Sequence, residues 1–279
     1  IVNYSNRRKM CLVVVALVIF ASCRSTLPTV QQAYSRDEFL SREGKVGDDN
    51  FRYRVYLPQN LDKNVKPAIL IYLHGAGNRG DDNESQLNGL ADQIDANKDK
   101  ISFIVVIPQC LPDRFWDEQM LKRANQALDD VKAEFGGDED RLFVAGFSLG
   151  GFGTWTMAAM FPGKFAAIVP MSGRVLPRPN EMKSVSPEIA ELAKAPEPYL
   201  SFAERVGRVP IWIFHGTADK VVPIDSSRQM IKAILRSGNA NVKFSEVEGA
   251  GHETLGFKDP ELFTWLAKQK RNTDEDFPV

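Results

Sequence analysis

The chain has 279 residues, 43% of them hydrophobic and 25% charged, with 20 Gly and 16 Pro, the mixture of a globular protein rather than a disordered or fibrous one. At about 150 residues per domain that length allows one domain or two, and α/β folds of this size commonly form one. Lys and Arg total 35 against 36 Asp and Glu, a formal charge of -1, which offers no electrostatic footprint for a nucleic acid. Cysteines occur only at 11, 23 and 110, too few for a disulfide framework and without the CxxC spacing of a zinc site.

At the start, Arg7, Arg8 and Lys9 precede an unbroken apolar run from Cys11 to Ala21. A membrane-spanning helix needs about 20 apolar residues, so this run suits the hydrophobic region of a secretory signal peptide better. It ends Phe20-Ala21-Ser22-Cys23, which resembles the lipobox of bacterial lipoproteins, with Phe20 where that pattern usually has Leu. The resemblance implies that residues 1–22 are a lipoprotein-type signal peptide and that Cys23 carries the lipid. The mature chain would then be anchored in the bacterial cell envelope, facing the periplasm or the cell surface. Cleavage nearby to give a soluble secreted protein is the alternative. Removing residues 1–22 takes away three basic residues and no acid, so the mature chain carries -4. Residues 23–37 are polar, without periodicity, and read as a tether. A folded domain is expected over 38–271, and residues 272–279 as a tail.

Strands are expected at Phe39–Val46 (a poor candidate), Phe51–Leu57, Ala68–Leu73, Phe103–Ile107, Leu142–Ala145, Ala166–Met171, Ile211–Phe214 and Val242–Val247. Four of these are continuously hydrophobic, as parallel strands covered on both faces are. Helical spacing separates them. Leu121, Ala124, Leu128, Val131 and Phe135 form one apolar face that stops at Gly136-Gly137, and Ile231, Ile234 and Leu235 form another that stops at Gly238. A last helix is expected within Pro260–Lys268. Alternating strands and helices make a three-layer α/β sandwich. The exception is a stretch of about 36 residues at 173–208, rich in Pro and charge with one helical patch near Glu188–Ala193. Loops of that length are commonly functional or disordered, and here a lid-like insertion that selects substrate is expected.

Chemistry enters at Gly146-Phe147-Ser148-Leu149-Gly150-Gly151, between a strand and a helix. Small residues around a serine on such a turn make a nucleophile elbow, and the following helix supplies backbone N–H groups for an oxyanion. The serine needs a histidine held by a carboxylate. His74 and His215 each end a hydrophobic strand and precede Gly, and both read as residues that shape a turn. His252 lies in Gly249-Ala250-Gly251-His252-Glu253, a loop free enough to orient an imidazole. Asp219 follows the penultimate strand, and the order Ser148, Asp219, His252 is that of the nucleophile-elbow hydrolases. Asp225 and Glu248 are the rival acids. Asp225 reads better as a helix N-cap and Glu248 as the solvent face of the last strand. The loop Leu73-His74-Gly75-Ala76-Gly77-Asn78-Arg79-Gly80 is placed to donate the second oxyanion N–H, from Ala76, beside that of Leu149. The same loop spells G-x-G-x-x-G. Its dinucleotide-binding reading fails because no acidic residue ends the next strand and Asp81-Asp82 would repel a pyrophosphate. There is no HExxH and no ligand cluster, so no metal or cofactor is expected.

LHGAGNRGDD, IPQC followed by Trp116, GFSLGGFGTW, PIWIFHGTADKVVP and GAGHE together resemble bacterial secreted α/β-hydrolases. The nearest groups are the polyhydroxybutyrate-depolymerase-like and feruloyl-esterase-like esterases and the "predicted peptidases" related to prolyl oligopeptidase. The resemblance implies a mostly parallel eight-stranded sheet with the first two strands at an antiparallel edge, and Ser148, Asp219 and His252 as the triad. It also implies a substrate-lining role for Trp116, against which stands a buried Trp capping the next helix. The expected activity is hydrolysis of carboxylic esters through an acyl-enzyme, on short acyl or aryl esters that are small or polymer-linked. The alternatives are a serine peptidase and, from another class, a catalytically silent binding protein on the same fold.

Overall fold

The computed structural model describes residues 38–59, 61, 62 and 64–271. The expected signal peptide, Cys23, the tether and the tail lie outside the described residues. Eight strands run in chain order as β1 (Phe39–Val46), β2 (Asp49–Tyr56), β3 (Ile69–Leu73), β4 (Ile104–Pro108), β5 (Leu142–Phe147), β6 (Ala167–Met171), β7 (Ile211–Gly216) and β8 (Val242–Val247). They form one sheet in the spatial order β1-β2-β4-β3-β5-β6-β7-β8. β2 pairs antiparallel with both β1 and β4, and every pairing from β4 to β8 is parallel. The poor candidate at Phe39–Val46 is the edge strand. Past the buried Phe39 its side chains alternate between half-buried and exposed, which is why it lacks the hydrophobic run of the inner strands.

Inner strands owe their unbroken apolar runs to cover on both faces. Along β3, Ile69, Ile71 and Leu73 enter one core and Leu70 and Tyr72 the other, the period-2 alternation of a pleated strand. The first core is closed by α2 (Glu118–Phe135), α3 (Leu149–Met160), α4 (Pro187–Lys194), α5 (Pro198–Val206) and α6 (Asp225–Arg236). The second is closed by α1 (Leu90–Asn97), α7 (Leu255–Lys258) and α8 (Leu262–Ala267). This is the expected three-layer sandwich.

Two expectations are corrected. In α6 the buried positions are Ser227, Met230, Ala233 and Ile234. Leu235, expected on the apolar face, is 58% exposed, because it lies about 100° round the helix from Ile234. The 173–208 stretch holds two helices rather than one patch in a loop. Each starts with Pro in its first turn, and the Ser186 hydroxyl caps α4 by accepting the Ile189 N–H, so Pro here starts helices instead of breaking them. Ile189 and Phe202 are fully buried in the core that α3 also enters. The segment is therefore part of the helical layer.

α2 is fixed at both ends. Gly136 closes it in a left-handed conformation. At its start the fully covered Asp117 carboxylate accepts the Met120 N–H at 3.0 Å and the Arg114 Nε–H at 2.7 Å. Asp117→Ala removes both bonds. It is expected to cost about 1–2 kcal/mol and to lower Tm by roughly 2–8 °C, read by calorimetry. An unchanged Tm would mean that the cap contributes nothing.

Candidate active site

The β5–α3 connection turns so sharply that its small residues are obligatory. A Cβ at Gly150 would collide with the Leu73 carbonyl oxygen, and one at Gly146 with the Gly150 carbonyl. Between them Ser148 holds φ 56° and ψ -113°, a left-handed conformation that costs a non-glycine residue free energy. The Ser148 N–H donates to the Met171 carbonyl at 2.9 Å, which ties the turn to β6. The hydroxyl stands at the C-terminal rim of the parallel strands, where open α/β sheets place their ligand crevices.

His252 lies in the loop between β8 and α7. Its Nε2 is 2.8 Å from Ser148 Oγ and its Nδ1 is 2.7 Å from Asp219 Oδ2. A carboxylate can only accept, so Nδ1 carries the proton and Nε2 offers its lone pair to the Ser148 hydroxyl. The ring packs beside Phe147, with centroids 4.7 Å apart. Asp219 follows β7, and its side chain is fully covered. Oδ1 accepts the N–H groups of Val221 and Val222 at 2.8 and 2.9 Å. Burial alone would raise the Asp219 pKa, but the bonds from His252, Val222 and Val221 outweigh it, and the carboxyl stays below its usual range.

Ala76 opens a single 3₁₀ turn, Ala76–Asn78, just past β3, and Leu149 opens α3. As the first residues of helical segments, both have N–H groups with no acceptor inside their own helix. The loop that carries Ala76 is braced from below by His74. The His74 Nε2 accepts the Cys110 N–H at 3.0 Å, and its Nδ1–H donates to the Gly75 carbonyl at 2.8 Å. Burial, followed by the neighbouring Arg79 charge, lowers its pKa to about 4, so the ring is neutral and occupied on both nitrogens. The G-x-G-x-x-G at 75, 77 and 80 leads into that one 3₁₀ turn. The next α-helix begins only at Leu90, too late for a dinucleotide-binding turn.

Other expected residues fall elsewhere. Trp116, expected to line substrate, is fully buried. Its indole N–H donates to the His74 carbonyl at 3.0 Å, its ring stands edge-on to His74, and its Cβ occupies the space beside Gly153. It supports the Ala76 loop and presents no surface to a ligand. Asp225 is the first residue of α6 rather than its cap, and its exposed carboxylate lies 3.6 Å from Arg228. Glu248 is exposed just past β8. The carboxylate bonded to His252 is that of Asp219 instead. His215 is fully buried behind Asp219, with Ser227 and the Val222 carbonyl as its partners. The anchoring of Asp219 by two backbone N–H groups was not anticipated. Its signal is the spacing Asp219-Lys220-Val221-Val222, in which an Asp side chain accepts the N–H two and three residues on.

Trp116→Phe keeps an aromatic ring but leaves the buried His74 carbonyl without its donor. Stability is expected to fall by about 1–3 kcal/mol, with KM held within about twofold because no substrate contact is lost. A large rise in KM with unchanged stability would restore the substrate-lining role.

Residues 116–271 match the model of the prolyl oligopeptidase family. A bifunctional acetylxylan esterase/xylanase of Neocallimastix patriciarum is 31% identical over 185 residues, covering 65% of this chain and 23% of that protein. A feruloyl esterase B of Talaromyces stipitatus is 23% identical over 232 residues, covering 74% of this chain and 62% of the esterase. Each of these curated relatives is thus longer than the part this chain spans. Among solved structures, a thermostable esterase superposes with a TM-score of 0.70 at 27% identity, over 84% of this chain and 64% of its own. The matched segment carries the nucleophile elbow, the Asp219 turn and the His252 loop on an α/β-hydrolase sheet, and the chain belongs to the prolyl oligopeptidase family.

Proposed function

We propose that this serine hydrolase cleaves carboxylic esters through an acyl-enzyme, with Ser148 as nucleophile, His252 as general base and acid, and Asp219 as the orienting carboxylate. The observation that carries the reading is the continuous bonding from Ser148 Oγ through His252 to Asp219, at 2.8 and 2.7 Å. His252 takes the Ser148 proton as Oγ bonds to the ester carbonyl carbon. The carbonyl electron pair moves onto oxygen, where the Ala76 and Leu149 N–H groups hold it, an arrangement worth about 10²–10³ in rate per donor. Collapse breaks the bond to the alkoxy oxygen, which leaves with the proton from His252. Water, deprotonated by His252, then attacks the acyl-enzyme, and Ser148 departs with that proton.

Esters are favoured over amides because the bifunctional acetylxylan esterase/xylanase, 31% identical over 185 residues, and the thermostable esterase, 27% identical, both carry esterase in their names. The family name supports a peptidase as the second reading, and the same triad can cleave an amide. Short acyl and aryl esters, free or polymer-linked, are the proposed substrates. A matched ester and amide sharing one acyl group separates the two readings. The expected result is turnover of the ester with little or none of the amide, and preferential amide cleavage would reverse the assignment. Ser148→Ala and His252→Ala are each expected to lower kcat at least about 10³-fold, and Asp219→Asn less. Residual ester turnover above a few per cent in Ser148→Ala would place the nucleophile elsewhere.

We further propose that Cys23 carries a lipid and holds the mature enzyme at a bacterial membrane. Several acyl chains on one residue anchor stably, since each buried CH₂ contributes about 0.8 kcal/mol. Cys23→Ser is expected to move the activity from the membrane fraction to the soluble fraction without changing it. An intact mass that shows an unmodified N-terminus beginning elsewhere would contradict the anchor.

A further inference from the structure

The proposed acid is approached by two histidines. His252 bonds Asp219 Oδ2 from the solvent side. From the interior, Nε2 of His215 lies 3.4 Å from the same oxygen and 2.9 Å from the Val222 carbonyl oxygen. A carbonyl can only accept, so Nε2 of His215 carries a proton. In the neutral ring Nδ1 is then an acceptor, and the Ser227 hydroxyl, 2.8 Å away, donates to it. His215 and Ser227 are both buried, at 0% and 1% exposure, and burial lowers the His215 pKa, so the neutral form prevails at neutral pH.

These bonds form a clamp around one turn. Val222 is held at both its polar groups: its N–H donates to Asp219 Oδ1 and its C=O accepts from His215. Pro223 follows and has no N–H with which to anchor the turn. His215 stands on β7, between β6 and β8, and Ser227 stands on α6. The segment 219–222, which lies outside any helix or strand, is thereby tied to β7 and to α6. The His215 N–H edge also faces Asp219 Oδ2 and favours the ionised carboxylate.

We infer that His215, its tautomer set by Ser227, is a positioning residue that fixes the Asp219 turn and so aims Oδ2 at His252. The inference rests on the triad reading above. It predicts that loosening the clamp slows the chemical step without weakening substrate binding.

The test uses the full chain, an activated aryl acetate, and the low-field proton signal of the His252 Nδ1–H bonded to a carboxylate. With only three histidines, nitrogen-15 labelling assigns that signal directly. His215→Phe keeps a ring of similar size but offers no N–H to Val222. It is expected to lower kcat about 10–100-fold, to leave KM unchanged, and to shift or broaden the His252 signal. His215→Gln, whose amide N–H can reach the Val222 carbonyl, should recover most of kcat. Ser227→Ala, a small change that the fold should tolerate, should lower kcat less than His215→Phe and move the signal in the same direction. A folded His215→Phe with the wild-type kcat and signal would overturn the inference, as would a His215→Gln no better than His215→Phe. If His215→Phe does not fold, a Ser227→Ala protein with unchanged kcat and signal overturns it. Asp219→Asn separates the two levels. If Asp219→Asn keeps the wild-type kcat, the triad reading itself falls, whereas its inactivity beside a fully active His215→Phe removes only the role of His215.

Discussion

At Gly150 there is no room for a side chain, because the Leu73 carbonyl oxygen at the end of β3 occupies the place where a Cβ would be. That close approach lets β5 turn directly into α3, and it forces Ser148 into a left-handed conformation that the surrounding bonds must sustain. Everything else in the site is arranged around this turn. The Ser148 N–H is fixed to β6 through the Met171 carbonyl and its C=O accepts the Phe152 N–H, so the hydroxyl is left to bond His252. The Ala76 loop leaves β3 next to the same turn, and a Cβ at Gly75 would touch the Phe147 ring at 3.3 Å. The proposed nucleophile and oxyanion donors are therefore set by the packing of two adjacent parallel strands, and the loop after β8 brings His252 to them.

Electrostatics follow the same economy of parts. The Asp219 side chain is fully covered, and a buried charge survives only where donors surround it. Two backbone N–H groups and His252 supply them. The interior histidines show the converse. His74 and His215 are buried and held neutral, and each bonds at both ring nitrogens. Only His252 combines a carboxylate partner with 17% side-chain exposure, the combination that a base in contact with substrate requires.

Much of this was legible in the sequence, for identifiable reasons. Inner strands announce themselves because cover on both faces demands apolar runs, and all eight strands begin within two residues of their expected starts. Ser148, Asp219 and His252 could be picked out because each follows a strand and sits in a turn that small or polar residues mark. What could not be read was the direction of side chains. Trp116 stands in sequence beside the rim of the site, yet its indole points inward to the His74 carbonyl. Leu235 fits a helical spacing but falls just off the covered face. Of the two helices in 173–208, α4 shows in the sequence as the patch Glu188–Ala193, whereas α5 is obscured by Pro196 and Pro198, which look like loop residues.

In the proposed reaction Ser148 attacks while the Ala76 and Leu149 amides receive the oxyanion. A crystal structure of the chain inactivated by a fluorophosphonate tests both halves at once. Phosphorus is expected on Ser148 Oγ, with the phosphoryl oxygen accepting the Ala76 and Leu149 N–H groups at about 2.7–3.1 Å. Phosphorus on any other residue, or a phosphoryl oxygen turned away from both amides, would contradict it.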